Sequence, residues 1–294
     1  MLMNGNTSTA KINNGFQIFH GAASRIGESH INFPIGYQDA EFCINQNSVF
    51  VGVICDGCSL STDGYTQNQV GAILGSEIIA RNLFKYADSK NKGNINFNKI
   101  LRKANGDSRY FFKRFLGNLR ATRLGIDKKK FIEEKFLFTV IGLLVINNCY
   151  CFFGCGDGVF GINEDVCDVE KDFPSQKYLQ PLLNSKVAQK FIIYRTGKIK
   201  NDDTLWIASD GLLQLLDKED GFRNFGEFLH DERTCRTVED NNQTIQPFRQ
   251  LTQKYKNRLS DDITVVISKV KNASENFSDS DDSFSQNETQ STEL

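Results

Sequence analysis

The clearest pattern along the chain is a run of apolar, β-branched residues that stops at an Asp-Gly pair. It occurs at Val49–Gly57 (VFVGVICDG) and again at Thr204–Gly211 (TLWIASDG). Such a run predicts a buried strand, with the aspartate presenting its carboxylate at the strand end. The glycine that follows permits a tight turn and leaves its carbonyl close to whatever the aspartate holds.

Shorter patterns predict further strands and helices on either side of these two runs. Apolar and β-branched segments predict strands at Phe16–Ser24, Asp39–Asn45, Ser48–Cys55, Phe136–Ile146, Cys149–Phe153, Val159–Asn163, Phe191–Tyr194, Thr204–Ser209 and Ile263–Val270. Helical patterns lie at Thr66–Asp88, about Asn98–Leu124, Gly211–Leu216 and Thr244–Arg258.

Short turns predict how neighbouring strands pair. A turn at residues 46–47 joins the second and third strands into a hairpin, so Asp39 at the start of one strand and Asp56 at the end of the other share a sheet edge. Turns at residues 147–148 and 154–158 predict an antiparallel meander of the three strands that follow.

Composition marks the expected ends of the folded domain. Residues 1–14 are polar, Asn-rich and without period, and residues 271–294 are rich in Ser, Asp, Asn and Glu. We expect both segments to be disordered, the second as an acidic tail. Residues 15–270 are long enough to bury one substantial core, with an irregular segment at about residues 164–200.

Charge and hydropathy limit the partners and the compartment. The formal net charge of the 294 residues is −1, which gives no general attraction to nucleic acid or to membrane. Because we find no apolar window of 18 residues and no signal-peptide pattern, we expect a cytoplasmic protein with no nucleic-acid or membrane partner. The exposed side of the helix at 98–124 is basic, and is either a solvated face or a docking surface for an acidic partner.

Cysteine and histidine are poor candidates for a metal site. In the cytoplasm the eight cysteines are expected to be reduced, and Cys55 and Cys58 form the one CxxC pair, which disfavours a zinc or redox centre. Three histidines are too few for an imidazole-rich site. Carboxylates therefore remain as the ligand type, and they favour Mg²⁺ or Mn²⁺.

Four aspartates lie at predicted strand boundaries: Asp39, Asp56, Asp210 and Asp261. A single one would be an ordinary turn residue, but several buried carboxylates repel each other unless a cation compensates for their desolvation. Clustered carboxylates can hold two divalent ions about 3.5–4 Å apart that share a bridging water. The metals lower the pKa of that water and place a hydroxide for in-line attack on phosphorus.

Five short motifs, taken in order, resemble the type 2C (PPM) metal-dependent protein phosphatases, and more closely the bacterial branch. They are Tyr37-Gln38-Asp39-Ala40, Asp56-Gly57, Gly156-Asp157-Gly158, Ser209-Asp210-Gly211 and Asp261-Asp262-Ile263-Thr264. The resemblance covers about residues 15–270. It implies an α+β fold, a four-layer αββα sandwich of two antiparallel sheets packed face to face, with helices on both outer faces. It also implies a dimetal site between the sheets and a flap at 164–200 beside that site.

The resemblance implies which residues act and on what. Two Mg²⁺ or Mn²⁺ ions are expected to be bound by Asp39, Asp56, Asp210, Asp261 and the carbonyl of Gly57. Asp261 rather than Asp262 matches the ligand position, because the family usually has Asn second. The implied reaction is hydrolysis of phosphoserine and phosphothreonine in proteins by a metal-bridging hydroxide, with a cognate Ser/Thr kinase as the other enzyme of the system.

Two positions depart from the family pattern. Many members have a phosphate-binding Arg five residues before Asp39, where this chain has Pro34. His30 or Arg25 is a candidate substitute, and His30 is also a candidate to protonate the leaving alkoxide, against a loop histidine without a role. Glu134 is either a contact to a third metal or a solvated glutamate.

One motif is typical of a different kind of site, one that binds a dinucleotide. Gly156, Gly158 and Gly161 spell GxGxxG after a strand, but the chain is predicted to continue as a strand where a dinucleotide site needs a helix N-terminus. We therefore interpret Asp157 as a hairpin turn residue with at most an indirect influence on the metal site.

Two other functions stay open at this point. The first is a catalytically silent regulatory or phospho-binding module with the same fold, which the four aspartates oppose and the missing Arg favours. The second is hydrolysis of a small phosphoester or nucleotide by the same metals.

Overall fold

The computed structural model describes residues 10–11, 16–31, 37–57, 68–89, 95–118, 127–174, 190–235, 245–255 and 258–272. They form two antiparallel sheets that pack face to face, each with helices on its outer side. The α+β sandwich that the sequence implies is therefore confirmed. The predicted acidic tail, and all but residues 10–11 of the predicted disordered N-terminus, lie outside the described residues.

The secondary structure of these residues begins and ends as follows. The strands are β1 (Ala10–Lys11), β2 (Phe16–Arg25), β3 (Ala40–Gln46), β4 (Val49–Gly57), β5 (Phe138–Ile146), β6 (Cys149–Cys155), β7 (Val159–Ile162), β8 (Asp165–Asp168), β9 (Ile192–Lys198), β10 (Thr204–Ala208) and β11 (Ile263–Asn272). The helices are α1 (Glu28–Ile31), α2 (Gln69–Asp88), α3 (Phe97–Asn118), α4 (Lys128–Lys135), α5 (Val169–Asp172), α6 (Gly211–Leu216), α7 (Gly221–His230) and α8 (Ile245–Gln253). A short 3₁₀ helix follows α7 at Glu232–Cys235.

The strand order is β1-β2-β11-β10-β7-β8 in one sheet and β3-β4-β5-β6-β9 in the other. Side chains such as Phe50, Ile141, Phe160 and Val266 fill the space between the two sheets. The central strands have helices on their other face, so both of their faces are buried. All nine residues of β5 are buried, which explains why these strands read as continuous apolar runs instead of alternating patterns.

Each outer face is covered by its own set of helices. Helices α2 and α3 pack on the five-stranded sheet, where the rings of Phe112 and Phe138 lie 5.9 Å apart. Helices α6, α7 and α8 pack on the six-stranded sheet, where the Trp206 and Phe225 rings lie 5.0 Å apart. Each helix therefore buries one apolar face, as its spacing predicts.

The predicted meander of three strands is wrong at its second turn. β5 and β6 pair as a hairpin, but β7 pairs with β10 in the other sheet, with Phe160 opposite Ile207. Residues 154–158 are therefore a crossing between the sheets. Gly156 (φ 107°) and Gly158 (φ 131°) adopt conformations that favour glycine and redirect the chain.

Several short elements were not predicted from the sequence. Helices α4 and α7 are two of them, and the segment expected to be irregular, residues 164–200, contains β8 and α5 as well as β9, whose first half was predicted as a strand at Phe191–Tyr194. Its middle part, residues 175–189, lies outside the described residues, as do residues 119–126 at the end of the predicted second helix. Cys55 is a buried free thiol, whereas Cys58 lies outside the described part.

No helix in the described ranges has the length and apolarity needed to cross a lipid bilayer.

The GxGxxG motif has a structural explanation. The first two glycines form the sheet crossing, and Gly161 lies in β7 under the ring of Trp206. A Cβ atom on Gly161 would lie 2.3 Å from Trp206 Cζ2. Trp206 is itself fixed, because its Nε1 donates a hydrogen bond of 2.9 Å to the carbonyl of Asn163. The motif therefore serves packing, and no helix follows it to receive a pyrophosphate.

We expect Gly161→Ala to lower the free energy of unfolding by about 1–3 kcal/mol, because the added methyl group overpacks a buried tryptophan. Urea unfolding followed by fluorescence measures the change. Gly117→Ala in α3 is the control: a Cβ there has no neighbour within 4 Å, so the helix should gain about 0.5–1 kcal/mol. Equal stability of wild type and Gly161→Ala would contradict the packing role.

Candidate metal centre

The hairpin of β3 and β4 brings the first two aspartates together. Asp39 comes directly before β3 and Asp56 is the next-to-last residue of β4, and Ala40 lies opposite Cys55 in the ladder. Both carboxylates therefore lie at the same edge of the sheet, as predicted. Asp39 is only 2% exposed, and Asp56 is the single residue of β4 that is not fully buried.

The other sheet supplies the remaining two aspartates at the same end of the sandwich. Asp210 lies between β10 and α6, and Asp261 lies just before β11, which is paired to β10. The two loops pack closely: a Cβ on Gly211 would lie 2.0 Å from the carbonyl oxygen of Asp262. Only glycine fits at this contact, which explains the Asp-Gly pair.

Electrostatic and hydrogen-bond contacts show that these carboxylates form one cluster. Burial raises the pKa of Asp56 well above its usual range, and the negative charges of Asp39, Asp210 and Asp261 raise it further. Burial raises the pKa of Asp39 well above normal as well. A side-chain interaction with Asp56 lowers the pKa values of Asp39 and Asp210, but burial outweighs it. Carboxyl groups whose pKa values are raised by burial and by like charges bind protons more readily, so without a cation the cluster is partly protonated.

The pKa values of Asp210 and Asp261 are raised as well. Burial, followed by the charge of Asp157, raises the pKa of Asp210 to about 7. Burial, followed by the charge of Asp262, raises the pKa of Asp261, whereas the nearby His30 lowers it. No described Arg or Lys forms an ion pair with Asp39, Asp210 or Asp261. The arginines and lysines of the described ranges therefore do not compensate for the burial of these three groups.

Two carboxylate oxygens of the cluster are available to bind a cation. Asp39 Oδ2 and Asp210 Oδ1 are buried and have no hydrogen-bond partner in the described structure. Uncompensated buried carboxylate oxygens are the donors that Mg²⁺ and Mn²⁺ prefer. Within the described ranges, no three His, Cys, Asp or Glu side chains are arranged around one metal position. The donor chemistry therefore fits a divalent cation, while the described side chains do not converge on one metal position.

The two adjacent aspartates before β11 have different surroundings. Asp262 Oδ1 accepts a hydrogen bond of 2.8 Å from the Gly27 amide, and its Oδ2 accepts one of 2.7 Å from the Gln38 amide. Asp262 is 2% exposed, so both of its oxygens are used inside the protein. Asp261 Oδ1 accepts a hydrogen bond of 2.9 Å from the Asp262 amide, and its charge acts on Asp56. These surroundings favour Asp261 over Asp262 as the metal ligand.

His30 lies beside the cluster on α1. Its Nδ1 is 2.9 Å from Asp262 Oδ1. The contact with the Asp262 carboxylate raises the pKa of His30 most, and the charges of Asp261 and Asp39 raise it further, against the effect of burial. A protonated imidazole is thereby stabilised near the carboxylates.

Arg25, the other candidate to bind the substrate phosphate, is engaged in contacts within the protein. The Arg25 guanidinium donates to the Thr252 carbonyl at 2.9 Å and forms a 3.2 Å ion pair with Glu28. It therefore joins α1 to α8. Pro34, at the position of the family arginine, lies outside the described residues.

Asp157 is the residue whose importance the sequence reasoning missed. Burial raises its pKa, Thr139 hydrogen-bonds to it, and its charge acts on Asp56 and Asp210. It belongs to the cluster because residues 154–158 cross between the sheets at this end. Glu134, the other candidate for an additional ligand, is half-buried on α4, and the main charges acting on Asp56 are those of the other aspartates.

Gly57 ends β4 at the site. A Cβ there would lie 3.0 Å from the Gln38 carbonyl oxygen and from Asn68. The close packing accounts for the glycine, and metal binding by its carbonyl stays a prediction.

We expect metal-free protein to become less stable as the pH rises from 5.5 to 8. The folded-state pKa of Asp210 is about 7 against an ordinary 3.8, so the stabilisation from its bound proton is complete below about pH 4 and is lost as the pH rises through 7. This one group changes the free energy of unfolding by about 2 kcal/mol over that interval. Urea unfolding in EDTA measures it.

Two variants test whether Asp210 causes this pH dependence of stability. Asp210→Asn should remove this part of the pH dependence, and Asp217→Asn, at an exposed residue after the same helix, should keep it. Adding Mn²⁺ at pH 8 should restore stability to the wild type, because the cation replaces the protons. A flat stability profile of the wild type in EDTA would contradict the carboxyl cluster.

Comparison with solved structures supports the fold. PppA of Pseudomonas aeruginosa, described as a key regulatory component of the T6SS, is 13% identical, with 86% of this chain and 97% of that chain covered and a TM-score of 0.51. The catalytic domain of the serine/threonine protein phosphatase PstP, in complex with two manganese ions, is 11% identical, with 87% and 99% covered and a TM-score of 0.50.

A third match is a longer fragment. The PP2C phosphatase domain with part of the regulatory domain of SpoIIE from Bacillus subtilis is 15% identical, with a TM-score of 0.47. Of this chain 87% is covered, and the chain spans 64% of that fragment. No protein-family model and no curated protein matches the sequence. At these identities the likeness concerns architecture, and the chain has the fold of the PP2C-type bacterial Ser/Thr phosphatases.

Proposed function

We propose that this chain is a metal-dependent phosphatase that hydrolyses phosphoserine and phosphothreonine in proteins. The proposal depends on one observation: several carboxylates are buried together at one end of the sandwich, with unpaired oxygens on Asp39 and Asp210. Such crowding costs free energy that divalent cations would offset. The fold supports the proposal, since the PstP catalytic domain has it and was solved with two manganese ions.

Two Mg²⁺ or Mn²⁺ ions would be held by Asp39, Asp56, Asp210, Asp261 and the carbonyl of Gly57. When bound, such ions supply the positive charge that lowers the pKa of water and neutralises phosphoryl oxygens. The apolar strand ends around the carboxylates lower the local dielectric, which strengthens the attraction between cation and ligand. Asp157 adds negative charge at the same place.

His30 is proposed to donate the proton that the leaving serine or threonine oxygen requires. Asp262 engages Nδ1 at 2.9 Å, which leaves Nε2 as the nitrogen able to donate to a substrate. The same contact raises the pKa of His30 and so keeps the acid form populated. Protonating a poor leaving group is the usual contribution of such an acid.

The cysteines near the cluster are poor nucleophiles. Burial raises the pKa of the Cys155 thiol to about 12, and that of Cys55 well above its usual range. Both are therefore neutral thiols near pH 7, and the thiolate is the reactive form. This favours direct attack by water over a covalent cysteinyl-phosphate route.

The proposed setting is a cytoplasmic one in which a Ser/Thr kinase phosphorylates the same protein substrates. The regulatory role described for PppA is consistent with phosphoprotein substrates for this fold. Nucleic acid and membrane are not proposed as partners, given a net charge of −1.

A catalytically silent regulatory module of the same fold is the second candidate. It is favoured because no three ligating side chains within the described ranges surround one metal position. The sequence favours it also through Pro34, which replaces the phosphate-binding arginine of many type 2C enzymes. Turnover decides between the two candidates.

We expect hydrolysis of p-nitrophenyl phosphate with Mn²⁺ and none in EDTA. Asp210→Asn should lower kcat by at least about 100-fold, because it removes a ligand and not merely a supporting contact. Asp217→Asn is the matched control and should keep wild-type activity. Isothermal titration that detects tight Mn²⁺ binding without any turnover, with aryl phosphate or phosphopeptide, would instead favour the silent module.

We expect His30→Gln to lower kcat on a phosphoserine peptide by about 100-fold. Activity on p-nitrophenyl phosphate should change little, because p-nitrophenolate leaves without protonation. Ile31→Ala, at an exposed residue of the same short helix, is the control and should leave both activities unchanged. An equal loss on both substrates would show that His30 supports the structure and is not the acid.

A further inference from the structure

A cavity with a cationic rim lies on the outer side of the five-stranded sheet. It has a volume of about 540 Å³ and lies between the first half of α3 and residues 190–191, which lead into β9. Leu101 and Phe191 provide apolar lining. Four cationic side chains surround them: Lys99, Arg102, Arg109 and Lys190.

These four cations have no acidic partner in the described part of the chain. Salt bridges nearby involve other residues: Asp107, the acidic residue of α3, pairs with Lys85 of α2 at 3.3 Å and accepts a hydrogen bond from Tyr86. The first turn of α3 contains no acidic residue, so the helix dipole adds to the positive potential there. Four like charges around one cavity favour an anionic occupant.

Gly106 shapes the wall of this cavity. It lies in the middle of a 22-residue helix and lines the cavity, and a Cβ there would meet nothing within 4 Å. Apart from proline, glycine is the residue least favourable to a helix interior, and packing does not require it here. Its effect is to keep this wall of the cavity free of a side chain.

We propose that this cavity binds the chain's own acidic segment, residues 273–294. That segment contains six acidic residues and no basic one: Glu275, Asp279, Asp281, Asp282, Glu288 and Glu293. Phe277 and Phe284 flank its most acidic part. Carboxylates interleaved with aromatic rings match a cavity in which Lys and Arg surround Leu101 and Phe191.

The part of the segment that matches the cavity, residues 277–284, can reach over most of the width of the domain from its attachment point. β11 ends at Asn272, and the 12 residues from there to Phe284 span about 40 Å when extended. A domain of this size is about 45 Å across. Tethering gives an effective concentration of roughly millimolar, so weak exposed ion pairs suffice for occupancy.

The cavity is connected through β9 to the strand that leads to Asp157. Ile192, directly after Phe191, pairs with Gly154 in β6, three residues before Asp157. The inference does not depend on the proposed phosphatase activity, and its test uses none.

Lysine acetylation of the full chain, read by mass spectrometry, tests the proposal at low ionic strength. We expect Lys99 and Lys190 to react roughly threefold more slowly in the wild type than in a variant with all six acidic residues of the segment changed to Asn or Gln. Lys113, exposed on α3 and outside the cavity, is the internal reference and should react equally in both. High salt should abolish the protection.

A cavity-filling variant tests the site itself. Gly106→Leu should raise the reactivity of Lys99 and Lys190 to the level of the neutralised variant, with circular dichroism unchanged. Gly117→Leu, at an equally open position of the same helix, should keep the protection.

Equal reactivity of wild type and neutralised variant would overturn the proposal. So would protection that grows with protein concentration, which would assign the segment to a second copy, or protection that appears only with an added phosphoprotein.

Discussion

Crowding of buried carboxylates at one end of the sandwich is the constraint on which the rest of the site depends. Strands β4 and β10 are apolar along their length, so their ends present Asp56 and Asp210 to an environment of low dielectric. Burial is the largest cause of the raised pKa at both residues. Without a cation, bound protons neutralise the negative charge of these carboxylates. At the proposed metal site, cation binding and proton release would therefore be one equilibrium, with metal affinity rising with pH.

A single buried carboxylate, that of Asp262, fixes the geometry around this cluster. Its two oxygens accept hydrogen bonds from the amides of Gly27 and Gln38, and the first oxygen also contacts His30. It thereby ties the start of β11 to the segments before α1 and β3. Of two neighbouring aspartates, one is used entirely inside the protein, and its structural role leaves Asp261 available to the cluster. Adjacent identical residues thus differ in function because of what surrounds them.

The sequence predicted most of the strands because burial on both faces leaves a strong signal. β4, β5 and β10 were found as continuous apolar runs, and the shared edge of Asp39 and Asp56 followed from one short hairpin. The crossing at residues 154–158 was missed, since Gly-Asp-Gly suits a hairpin turn and a change of sheet equally well. Because of that ambiguity, the place of Asp157 in the carboxylate cluster was also missed. Its place in the cluster depends on where the next strand goes, which no local pattern contains.

The net charge of −1 conceals a separation of charge that the fold makes explicit. Carboxylates gather between the sheets at one end, whereas α3, on the outer face of one of those sheets, presents cations that pair with no acidic residue of the described ranges. A phosphorylated or acidic segment is attracted to the second region and repelled by the first. The repulsion is removed only when cations neutralise the carboxylates. In the proposed phosphatase, these carboxylates would repel a phosphoryl group unless they held cations, whatever attracts the rest of the substrate to the surface.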